Sequence, residues 1–81
     1  MNKSVVVGYK EIISKKSGDK FVELHLVTDD QYIIGQRVES VFVRAENIQN
    51  LDILDVGCNC IVYYNRFGRA DGAALSIDWY T

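Results

Sequence analysis

Over residues 21–28 the side chains alternate without a break. Val22, Leu24 and Leu26 share one parity; Phe21, Glu23, His25 and Val27 share the other. A period of two marks an extended strand with one buried face, because successive Cβ atoms point to opposite sides of a sheet. The apolar parity faces the core, and the parity that holds Glu23 and His25 faces out. A strand of this kind is stable only with partners on its edges. The segment therefore constrains its neighbours as well as itself.

The rest of the chain reads as those partners. Residues 3–14 are rich in Val, Ile and Tyr, and residues 15–20 carry Ser17-Gly18-Asp19, a hairpin turn signal. Asp29-Asp30-Gln31 breaks the second run. A third strand is expected over residues 32–43, with Gly35 as a bulge or bend. If Arg44 points out, so does Phe42, while Val41 and Val43 point in. Over residues 45–56, Ile48, Leu51 and Leu54 recur at every third position, which predicts a short helix or helical turn that closes at Asp55-Val56-Gly57. Strands follow at residues 58–65 and 73–80, joined by a turn at residues 66–72. In the last strand Leu75, Ile77 and Trp79 alternate against Ser76, Asp78 and Tyr80, which places Trp79 in the core. There is no repeat, linker or proline.

Three strands, a helical turn and two more strands is the layout of the five-stranded Greek-key barrel called the OB-fold. An SH3-like barrel also has five strands and a helical turn, but its turn comes late, before the last strand. Closure into a barrel would hide the edges that a small open sheet exposes. The expectation is an all-β, single-domain chain over residues 1–81.

Composition narrows the function. At 48% hydrophobic and 25% charged, the chain is built to fold, yet 81 residues bury a small core that a partner subunit would extend. The longest apolar run, Ile61-Val62-Tyr63-Tyr64, is strand-sized, and Val5-Val6-Val7 is too short for a signal-peptide core. The expected setting is cytoplasmic, with no membrane partner. Nine Lys and Arg against eleven Asp and Glu give a formal net charge of −2, so a uniformly basic nucleic-acid binder is excluded. The distribution is uneven, however: lysines gather at the start of the chain and acids in its middle. Cys58-Asn59-Cys60 on one strand would point both thiols to one face, too far apart for an easy bridge, and one histidine adds no metal set. Two buried thiols in a reducing compartment is the plain reading.

Catalytic patterns are lacking. His25 lies beside Glu23 with no nucleophile spaced near it, and Gly68-Arg69-Ala70-Asp71-Gly72 lacks the lysine and the following helix of a phosphate loop. The expectation is a non-enzyme without cofactor or metal. Single-strand nucleic-acid binding fares better. It needs cations along a groove and exposed rings on which bases stack. An OB-fold groove runs over the second and third strands, between the loop joining strands one and two and the loop joining strands four and five. The first loop carries Lys15, Lys16 and Lys20. The second carries Arg66, Phe67 and Arg69, and Tyr64 or Tyr63 leads into it. The face between them offers Phe21, His25, Arg37, Phe42 and Arg44. Against this, turn lysines are usually just solvated, and strand aromatics are usually core or cross-strand partners. Phe67 stands apart, because a turn tip among charged and glycine residues is a hard place to bury a ring.

The segments Glu39-Ser40-Val41-Phe42-Val43, Asp55-Val56-Gly57 and Val62-Tyr63-Tyr64-Asn65-Arg66-Phe67-Gly68-Arg69 look like those of small proteins carried on mobile elements of Gram-positive bacteria. In length and strand order, nearly the whole chain resembles the small OB-fold single-stranded DNA-binding proteins of phages and plasmids, of which the helix-destabilising (gene V type) proteins of filamentous phages are the best known. The resemblance implies a symmetric homodimer, a role in DNA replication, and cooperative coating of single strands. It also implies that Arg66, Phe67 and Arg69 form a binding hairpin. The net charge departs from the family, whose members tend to be more basic. The expected partner is single-stranded DNA, with RNA not distinguished from it. The alternative function is a protein-interaction or oligomerisation module on the same small barrel, with Phe67 in the interface.

Overall fold

The computed structural model describes residues 4–77, so the expected place of Trp79 in the core lies outside the described residues. The described chain is all-β. Its strands are β1 (Ser4–Ile13), β2 (Lys20–Asp29), β3 (Gln36–Arg44), β4 (Ile48–Gln49), β5 (Asn59–Tyr64) and β6 (Ala70–Ser76). They form one six-stranded sheet in the order β3-β2-β1-β5-β6-β4. Every pair is antiparallel except the short β4–β6 ladder. β1, β2 and β3 form a meander, and β5 returns to lie beside β1, which is the Greek-key arrangement.

The alternation of β2 is realised as read: Val22, Leu24, Leu26 and Thr28 are buried, and the other parity is half-buried. Val6, Val43, Ile48, Cys58, Cys60, Ala73 and Leu75 complete the core, with Val41, Leu51, Ile53, Leu54 and Val62 packed against it. Both cysteines are free and buried, as their spacing implied. Ser4 and Thr28 are the buried polar pair, and their hydroxyls hydrogen-bond to each other.

The sheet departs from the expected barrel in several places. It is open rather than a closed five-stranded barrel. β6 has β5 on one edge and β4 on the other at Ala73 and Ala74, so that stretch of β6 has no free edge for β3. β3 and β6 still approach each other, without forming a ladder. The stretch at residues 45–56 takes the helical-turn form of the expectation rather than that of a continuous helix. Two single 3-10 turns, Ala45–Asn47 and Leu51–Ile53, flank β4. Asn50 in the left-handed region (φ 62°) ends the strand, and its side-chain amide donates to the Leu75 carbonyl at 3.1 Å. The every-third spacing of Ile48, Leu51 and Leu54 was a true burial signal, but 3-10 turns satisfy it as well as a helix.

The third strand starts later than expected, at Gln36. Asp30 captures the chain first: its carboxylate accepts from the Tyr32 amide at 2.9 Å and its carbonyl from the Ile33 amide at 3.1 Å. Gly35 (φ 97°) is the expected bend, placed at the end of this loop ahead of the strand. The β5–β6 turn is tighter than residues 66–72, which lets Ala70 and Gly72 join β6. Ile77, expected in the core beside Leu75, lies past the end of β6 and is exposed.

Candidate functional site

The β5–β6 hairpin builds its own tip. Asn65 closes it from both sides of the residue. Its side-chain oxygen accepts from the amides of Phe67 (2.9 Å) and Arg69 (3.1 Å), while its backbone amide donates to the Arg69 carbonyl at 2.9 Å. Gly68, at φ 78°, supplies the left-handed step that such a turn needs. Phe67 is thereby held outward, 74% exposed, and the Arg66 guanidinium sits over its ring at 5.0 Å from the centroid. Among the described residues neither Arg66 nor Arg69 has a carboxylate partner.

This tip leans toward β3. An open groove runs between the two, lined by Glu39, Ser40, Val41 and Phe42 on one side and Tyr64, Gly68, Arg69 and Ala70 on the other. It occupies the gap between the approaching edges of β3 and β6. Tyr64 is the tyrosine of this groove; Tyr63 faces a different one, beside Glu46, Asn47 and Gly72. Partial burial, then the Glu39 carboxylate, raise the Tyr64 hydroxyl above its ordinary value of 10.0, with Arg37 acting weakly the other way.

The outer face of β2 and β3 follows from register. Phe21 pairs with Arg44, Glu23 with Phe42, His25 with Ser40 and Val27 with Val38. Phe21, Phe42 and Arg44 therefore share the face that the sequence assigned to them, with Phe42 56% exposed. Arg44 lies over the Phe21 ring at 5.3 Å, and His25 is paired with Glu23. Arg37 is a correction. It pairs with Thr28, on the core-facing parity, so it is absent from this face. Counting back by twos from Arg44 reaches Gln36 and skips position 37, so the strand's own alternation held the answer.

The cations divide into two groups. Lys20 is held by Glu11 at 3.2 Å. Arg37 lies between Asp30 (3.8 Å) and Glu39 (3.9 Å). Arg44 is bonded to Asp19 at 2.9 Å, with Glu46 at 3.6 Å. Lys15 and Lys16, at the exposed β1–β2 turn, have no carboxylate partner among the described residues, like Arg66 and Arg69. Among the described residues the free cations are therefore the four on the two turn tips and Lys10 on β1, while those on β2 and β3 are neutralised. Of the eleven residues singled out by sequence, the groove and its rim bring together Phe42, Tyr64, Arg66, Phe67 and Arg69. Phe21 and Arg44 lie one row further along the outer face, and the β1–β2 turn lies beyond them.

The sequence reading missed the β2–β3 loop. Tyr32 and Ile34 are 87% and 105% exposed there, whereas the sequence pattern puts both inside a strand. The signal was present in Asp29-Asp30, whose side chains favour a local turn over ladder pairing. Among the described residues no helix is long and apolar enough to cross a membrane, and no group of three or more His, Cys, Asp or Glu could hold a metal ion. Set against known proteins, the chain matches no family model, no curated protein and no solved structure.

Proposed function

We propose that the protein binds single-stranded nucleic acid without catalysis, as a homodimer, with DNA as the principal ligand. The observation that carries the reading is the β5–β6 tip: an outward ring stacked by one arginine, followed by a second arginine, neither of them neutralised among the described residues. A base can stack on Phe67 while Arg66 and Arg69 meet the flanking phosphates. The groove continues past Tyr64 to Phe42, a second exposed ring. Phe21 and Arg44 extend the track toward Lys15 and Lys16.

The strand order supports the same reading. Taken cyclically, β1-β2-β3-β6-β5 is the order of a partly open OB barrel, with the β3–β6 seam left unzipped and β4 added as a short sixth strand. The site falls on the loops such barrels use. The negative total charge fits a weak, salt-sensitive binder whose unpaired positive charge gathers mainly at turn tips.

The test is fluorescence anisotropy with a labelled oligothymidine at low salt. Binding is expected in the micromolar range or tighter, and Phe67→Ala should weaken it by about 1–3 kcal/mol, the usual stacking contribution. No binding at high micromolar protein would reject the proposal. In the interaction-module reading, Phe67→Ala would instead change the oligomeric state seen by light scattering.

A further inference from the structure

The end of the sheet away from the β1–β2 turn is apolar on its outer face. Val5 of β1, Val27 of β2 and Val38 of β3 are directly paired across the three strands, so they form one row. Val7, the extra residue where the β1–β2 register slips, adds to it, and the loop that follows β2 holds Tyr32, Ile33 and Ile34. Ile34 is fully exposed, Tyr32 is 87% exposed and Val38 is 71% exposed. None of these side chains is charged. The ionised groups at its rim are Asp29, which accepts from Gln36 at 3.1 Å, and Asp30 and Arg37, which face each other.

We infer that this apolar end is the face through which two copies of the chain associate. Two arguments select a second copy. The first is charge. The patch has no cation of its own; at its rim Arg37 is shared between Asp30 and Glu39, and Asp29 leaves the border net negative, which disfavours phosphates and anionic headgroups alike. An uncharged patch set against itself about a two-fold axis meets no such opposition at its centre. The second is area. Six of these seven side chains are at least 40% exposed. Together they offer apolar surface on the order of the about 800 Å² that each partner gives to a standard interface, at or above the largest patch usual on a monomer. The face supplies the dimer contact of the proposed function, yet it lies apart from the β5–β6 tip, so the two can fail separately.

Sedimentation equilibrium of the protein alone, without oligonucleotide, tests it. The wild-type chain is expected at twice the chain mass at tens of micromolar. The Ile34→Ser, Val38→Ser double variant should be monomeric there, with a dissociation constant raised at least tenfold. Ile34→Ser alone, at a side chain the fold does not bury, should raise it several-fold and guards against misfolding of the double variant, which circular dichroism would reveal. Phe67→Ala should remain dimeric. A wild-type monomer at 200 µM overturns the inference, and so does a folded serine variant that dimerises as tightly as wild type. Loss of oligothymidine binding with the dimer intact would sink the nucleic-acid reading and leave this one standing.

Discussion

Asn65 does more for the candidate site than any residue that would touch a ligand. It accepts from the amides of Phe67 and Arg69, and without it the tip has no reason to present its ring. Asn65→Ala should cost about 1 kcal/mol of stability, the usual worth of such side-chain bonds, measured by urea unfolding. It should also weaken oligothymidine binding although Asn65 itself contacts no phosphate. The buried thiols give a second prediction at this scale. Burial, with the neighbouring Cys58 second, pushes the Cys60 thiol up to about 12 from an ordinary 9.0. A group raised in the fold stabilises it fully below the unfolded value and loses that contribution as pH climbs. The contribution of this thiol should therefore be level below pH 9 and fall between 9 and 12, followed by thermal melts across that upper range against a Cys60→Ala variant. Both thiols should resist an aromatic disulfide reagent at pH 8 until the chain is unfolded.

At the scale of elements, β2 is the strand whose character its residues alone decide. Its alternation is uninterrupted and it is central, paired on both edges by β1 and β3. Leu24→Ala removes a fully buried side chain from its middle and should cost about 2–5 kcal/mol in urea unfolding. Val38→Ala, one strand over on the outer face, should change monomer stability by less than about 0.5 kcal/mol. β3 shows the limit of such reading. Val41, Phe42, Val43 and Arg44 obey the parity inferred from sequence, but the start of the strand was misplaced because a local Asp30 turn competes with ladder pairing. The stretch around β4 shows another limit. Ile48 has the same burial whether it lies on a helix or pairs with Ala73, and periodicity cannot separate those outcomes.

For the whole molecule, the division of cations into paired and free sets a number. Each phosphate contact on a single strand contributes about 0.7 to the slope of log affinity against log salt. If only Lys15, Lys16, Arg66 and Arg69 engage, the slope should be about −3. If Lys20, Arg37 and Arg44 leave their carboxylates to join them, it should approach about −5. A salt titration of oligothymidine affinity from 20 to 200 mM separates the two, and the structure favours the shallower slope.

The sequence by itself determined that this is a β protein, that β2 buries Val22, Leu24 and Leu26, that the cysteines lie inside, and that Phe67 stands at a turn tip. These are local properties, settled by alternation and turn chemistry within a few residues. Tertiary structure alone decided that the sheet stays open, because β4 takes an edge of β6. It also decided which cations are neutralised, because Arg44 meets an aspartate twenty-five positions away. Charge pairing and edge occupancy depend on which strands become neighbours, and that order comes from burying the whole apolar surface at once.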